Sequence, residues 1–96
     1  MPEYFTDEEK LDMFPVLESV EIINMLIYLN NEGPQTHASV KKEFRMPDEK
    51  YNNYFSKLLR VGLVDYDRSL PTTDKIYGRV LITEKGKQAL KLVLQH

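Results

Sequence analysis

Asn52 and Asn53 stand side by side between Lys50, Ser56 and Lys57, so that five polar side chains crowd one short segment. An asparagine amide offers a donor and an acceptor together and pairs bidentately with the edge of adenine, while a lysine meets guanine or a phosphate. Asparagine is also a poor helix former, which makes two in succession an odd filler for an idle helical surface. The competing reading is a plain solvated helix face. Arg68, Lys75 and Arg79 form a second set of cations in and around the loop material Ser69 to Lys75. They suit phosphates or a minor groove, or else they guard the edge of a hairpin by charge. Lys41 and Lys42 could brace a nucleic-acid backbone, although charged residues on a short helix are more often simple solvation.

Other chemistries are poorly supplied. There is no cysteine and there are only two histidines, His37 and the terminal His96. Disulfides, thiolate sites and histidine clusters with metal-ligand spacing are therefore excluded. Gly33, Gly62, Gly78 and Gly86 are scattered and make no phosphate-cradling loop. Ser39, Ser56 and Ser69 have no base placed to activate them. Of the paired carboxylates, Glu8-Glu9 suits a helix N-terminus and Asp65/Asp67 alternate along a strand. His37 reads as a helix-surface or core-edge residue. Most of the ten aromatic residues fall on apolar stripes, so core packing accounts for them better than base stacking; Tyr77 is the exception. The expectation is a protein that is not an enzyme and carries no cofactor or metal.

The elements that must position these residues follow from the apolar pattern. Thr6-Asp7-Glu8-Glu9 matches a capping box and starts a short helix from Asp7 to Phe14 that buries Leu11 and Phe14, with Pro15 interrupting it. A second helix runs from Val16 to Asn31, closed by Gly33-Pro34. It is apolar nearly all round, which in a small domain asks for a partner subunit. Thr36 caps a helix to Phe44, and Asp48 caps a longer one to Val61 that ends at Gly62. In that longer helix Tyr51, Tyr54, Phe55, Leu58 and Leu59 turn toward the core, and the polar set lies largely opposite. Leu63 to Arg68 and Gly78 to Ile82 read as two strands of an antiparallel hairpin. Thr83 caps a final helix from Glu84 to Leu94, again rich in apolar positions. The 96 residues are enough for one core and one domain, residues 1–96, in an α+β fold.

A short helix, a tight turn and a longer helix make a helix-turn-helix, and the hairpin behind it makes a wing. Phe55-Ser56-Lys57-Leu58-Leu59-Arg60-Val61-Gly62-Leu63-Val64, a loop bearing Arg and Lys, and Leu81-Ile82-Thr83-Glu84-Lys85-Gly86 together resemble the winged-helix repressors of the MarR, PadR and ArsR type, small archaeal and archaeal-viral forms included. The resemblance spans roughly Glu18 to Leu94. It implies a winged helix-turn-helix with a three-helix core, a hairpin wing and a C-terminal dimerisation helix at 84–95. It also implies a homodimer, through the helices around 16–31 and 84–95, that binds double-stranded DNA and regulates transcription as a repressor. By position, Lys50, Asn52, Asn53, Ser56 and Lys57 would enter the major groove, and Arg68, Lys75 and Arg79 would stud the wing. Tyr51 and Tyr54 depart from the smaller aliphatics common in these families. A protein-binding winged-helix module of a larger complex is the alternative, and ligand sensing at a dimer interface is a third possibility for which the sequence names no ligand.

Charge is distributed unevenly. The net value is −2, yet Met1 to Glu21 holds seven acidic residues and one basic, leaving 8 acidic and 12 basic, a net of +4, in the rest. An acidic N-terminal extension, residues 1–15, thus precedes a mildly basic body, and local charge sets the field a phosphate backbone meets. No apolar run approaches the ~18 residues of a membrane span. The acidic opening Met1-Pro2-Glu3-Tyr4 lacks the features of a secretion signal, and the expectation is a cytoplasmic protein without membrane contact.

Overall fold

A computed structural model describes residues 4–67 and 78–95. Thr6 opens helix α1 (Asp7–Leu17) with the expected capping box: the Thr6 hydroxyl accepts from the Glu9 amide and the Glu9 carboxylate accepts from the Thr6 amide, both at 3.1 Å. The helix does not stop at Pro15, as the sequence reading had it, but carries it for a further turn. Burial explains this. Met13, Val16 and Leu17 are the residues that enter the core, whereas Leu11 and Phe14, expected inside, are 73% and 43% exposed. Ending the helix at Phe14 would forfeit the burial of Val16 and Leu17, which outweighs one missing backbone hydrogen bond near a helix end.

Helix α2 (Val20–Glu32) starts later than the apolar pattern implied, because Ser19 caps it by accepting from the Ile22 amide. Its Ile22, Met25, Leu26 and Leu29 are buried, and Ile23, Ile27 and Tyr28 are half-buried against the same core. Contacts with α1, with the sheet and with the last helix cover it, so one chain already buries most of its apolar surface. Gln35–Thr36 forms a short strand, β1, which the sequence reading took only as a lead-in to the next helix. Two residues carry too little periodicity to be seen.

Helix α3 (His37–Phe44) is capped by Thr36, and a tight turn through Arg45 leads to α4 (Asp48–Arg60). Asp48 does not cap α4. Pro47 holds the N-cap position without a side-chain bond, and the Asp48 carboxylate instead accepts from Lys41 Nζ at 3.1 Å, tying α3 to α4. Tyr51, Phe55 and Leu58 anchor α4 in the core, Tyr54 is half-buried, and Leu59 is exposed rather than inside.

Beyond α4, Gly62 adopts φ +80, a left-handed conformation that suits glycine, and turns the chain into β2 (Val64–Tyr66). Strand β3 (Arg79–Ile82) pairs antiparallel with β2, in the register Val64↔Ile82 and Tyr66↔Val80, and with β1, in the register Thr36↔Arg79. The sheet order is β1-β3-β2. Helix α5 (Glu84–Leu94) closes the domain and packs on α2 and β3. The described residues therefore form an α+β fold of five helices and a three-stranded antiparallel sheet around one core.

Candidate nucleic-acid interface

Helix α4 positions the polar side chains by locking its opposite side. Tyr51, Phe55 and Leu58 are all buried, so the helix cannot rotate about its axis without exposing them. Three and four residues apart along the same helix, Glu49, Asn52, Asn53, Ser56, Lys57 and Arg60 line one shallow, open groove. All six are exposed. Of the sequence candidates, Asn52, Asn53, Ser56 and Lys57 are thus brought together as expected. Arg60, expected on the polar side of the helix but not among the DNA-contact candidates, joins them, and Glu49 was missed although the helical spacing 49-52-53-56-57-60 carries it.

Lys50 lies beside this face rather than on its centre, in an adjoining groove with Pro47, Glu49, Asn53 and Tyr54. Its ammonium does not project freely. It stands 2.8 Å from Oε1 of Glu21 on α2, and the Tyr54 hydroxyl donates to the same oxygen at 3.1 Å. The Lys50 bond holds the Glu21 carboxyl below the usual carboxylate range, and the same bond raises the lysine.

Arg79 is occupied too. Its guanidinium Nη2 lies 3.5 Å from Asp67 Oδ2 across the hairpin, and the Asp67 amide donates to the Arg79 carbonyl at 2.7 Å. The side chain serves the base of the hairpin. Arg68, Lys75 and Tyr77 lie outside the described residues.

Behind the turn between α3 and α4 sits an aromatic cluster. His37 bonds through Nδ1 to the Tyr51 hydroxyl and meets the rings of Tyr51, Phe55 and Tyr66 edge-on. Desolvation, and then the neighbouring Lys41, push its imidazole below the ordinary histidine value. It is a core-edge residue. Burial raises the Tyr51 hydroxyl well above its usual range. The two tyrosines at odds with the family pattern therefore have structural tasks: Tyr51 fastens α4 to α3, and Tyr54 fastens α4 to α2. Among the described residues no group of three or more His, Asp or Glu side chains is placed to hold a metal ion.

No protein-family model and no curated protein matches the sequence. Solved structures do match the fold. RV1404 from Mycobacterium tuberculosis superposes with a TM-score of 0.72 at 19% identity, over 92% of this chain and 60% of that one. NMB1585, a MarR family regulator from Neisseria meningitidis, gives 0.64 at 18% identity, over 88% of this chain and 59% of that one. A mutant of S. aureus MepR bound to an oligodeoxyribonucleotide gives 0.67 at 16% identity, over 92% of this chain and 66% of that one. The chain has the winged-helix fold of the MarR-type regulators. In this winged helix α3 and α4 are the helix-turn-helix pair, and β2 and β3 are the base of the wing. The chain spans about three-fifths of the length of RV1404 and NMB1585. No described helix is long and apolar enough to cross a membrane.

Proposed function

We propose that this winged helix binds double-stranded DNA with α4 in the major groove and the β2–β3 hairpin as wing, and that it acts as a homodimeric transcriptional repressor in the cytoplasm, not as an enzyme. The observation that carries the reading is the polar face of α4. Asn52, Asn53, Ser56, Lys57 and Arg60 are all exposed on one side of a helix whose other side is fixed in the core. A helix of this width fits the major groove, where asparagine and serine read base edges and lysine and arginine meet phosphates or guanine. The likeness to MepR, solved on an oligodeoxyribonucleotide, supports the same reading. Arg68 and Lys75, outside the described residues, belong to the proposal as phosphate or minor-groove contacts. Lys50 and Arg79 enter it in a changed role, as ion-paired residues at the margins.

A second copy is favoured by what remains uncovered. Val20 at the start of α2 and Leu94 at the end of α5 are 69% and 60% exposed, and Leu94 borders a groove with Ile27 and Leu90 between these helices. A dimer joined there would present two copies of α4 to half-sites about one helical turn apart on a pseudo-palindromic operator.

Selection of genomic fragments by the full chain at low salt, followed by titration of the recovered duplex, tests the reading. Lys57→Ala should weaken binding to every sequence and reduce the slope of log K against log salt by about 0.9, the share of one phosphate contact. Asn53→Ala should instead relax preference at one base pair, by about 1–3 kcal/mol. If the wild type retains no duplex even at low salt, the protein-binding alternative takes its place; the net charge of −2 and Glu49 on the α4 face are the features that favour that alternative.

A further inference from the structure

The acidic N-terminal region was the one feature of the sequence that DNA binding did not absorb, and its side chains reach both ends of α4. Glu21 on α2 holds Lys50 at 2.8 Å and Tyr54 at 3.1 Å at the N-terminal end. At the C-terminal end, Glu9 and Asp12 of α1 line one groove with Arg60, Val61 and Lys85, and Glu9 Oε2 stands 3.5 Å from Lys85 Nζ. Lys50 shares its groove with Asn53, and Arg60 shares the central groove with Asn52, Ser56 and Lys57. Lys50, at one edge of the polar face, is thus paired with a carboxylate from α2, and Arg60, at the other, shares a groove with two carboxylates of α1.

We propose that these carboxylates compete, within the chain, with the DNA backbone: Glu21 occupies Lys50, so that a phosphate must displace a carboxylate to engage that cation, while Glu9 and Asp12 set negative charge in the groove beside Arg60. This rests on the DNA-binding reading above and adds a determinant of affinity at the same face.

The geometry suits exchange. The side chains of Lys50 and Glu21 are 44% and 46% exposed, which leaves the pair open to solvent. Exposed pairs are weak, whereas a phosphate contact gains the release of counterions condensed on DNA. A fully buried pair would instead be locked in place. Glu21 stays ionised at neutral pH, since Lys50 holds its carboxyl below the usual range. The cost of displacing the carboxylate falls on every duplex alike, so the competitor lowers the whole affinity scale, including the electrostatic binding that any sequence supports.

Glu21→Gln removes the charge and keeps an oxygen that accepts from Tyr54. Binding of the full-length chain to a mixed-sequence duplex would be followed by fluorescence anisotropy across about 50–200 mM salt. The variant should bind about two- to fivefold more tightly, in line with the strength of an exposed ion pair. Its log–log salt slope should be steeper by about 0.9, one more phosphate engaged. Both gains should vanish in a Lys50→Gln background. Glu18→Gln, the same charge change on an exposed residue, should produce a clearly smaller effect. Wild-type binding that Glu21→Gln leaves unchanged or weakens overturns this inference and spares the DNA reading, and so does an equal gain from Glu18→Gln. No duplex binding by either the wild type or Glu21→Gln overturns both.

Discussion

His37 shows how one side chain couples the helix-turn-helix to pH. Its ring is half-buried among Tyr51, Phe55 and Tyr66, and desolvation, with the charge of Lys41, holds its imidazole below the ordinary value of 6.5. A folded value below the unfolded one means that the unfolded chain takes up the proton first. The stabilisation is therefore complete above 6.5 and is lost as pH falls through that value toward the folded one. Urea midpoints measured at about pH 7.5 and about pH 5.5 should fall on acidification, and by less in His37→Gln, which cannot charge. An equal drop in both proteins would mean that His37 plays no part. At this scale the candidates were legible as residue types and only partly as roles. Helical spacing placed Asn52, Asn53, Ser56 and Lys57 on one face. That Lys50 is held by Glu21, 29 residues earlier in the chain, and Arg79 by Asp67 across the hairpin, depended on which elements come to lie side by side. No spacing within α4 or β3 could carry that information.

Between elements, the segment Thr83-Glu84-Lys85-Gly86 does more than start a helix. The Thr83 hydroxyl accepts from the Gly86 amide at 3.0 Å and donates to the Gly62 carbonyl at 2.7 Å, while the Thr83 amide donates to the Leu63 carbonyl at 3.1 Å. One residue thus caps α5 and pins it to the turn that follows α4. Gly86 is required by this close approach. A Cβ there would overlap the Leu63 carbonyl oxygen and come within 2.6 Å of Ile82 Cγ1. The collision is with backbone and cannot be relieved by a rotamer change. Gly86→Ala should therefore destabilise the domain by about 2–3 kcal/mol in a denaturation experiment, despite the better helix propensity of alanine. A neutral or stabilising result would show that α5 can move away from the turn at little cost. Pro15 gives the converse lesson about elements. Its local rule predicts a helix end at Phe14, and the burial of Val16 and Leu17 overrides it.

For the molecule as a whole, the remaining question is what covers the apolar residues left at its surface. Leu94 is exposed beside Ile27 and Leu90, at the end of a helix expected to join two copies. Leu94→Glu should shift the chain toward monomer in sedimentation velocity and weaken binding to a two-half-site duplex far more than to a single half-site. A wild type that is strictly monomeric across the concentration range would remove the dimer from the proposal. By itself, the sequence determined the order of the five helices and the two hairpin strands, the capping residues Thr6, Thr36 and Thr83, the polar face of α4 and the winged-helix class, because periodicity, capping and turn chemistry act over a few residues. Only the tertiary structure decided that Pro15 lies inside a helix, that Gln35–Thr36 joins the sheet, that one chain covers most of α2, and that Glu21 meets Lys50 and Glu9 meets Lys85. Each of these rests on contacts between segments distant in sequence, where burial and charge pairing outweigh local preference.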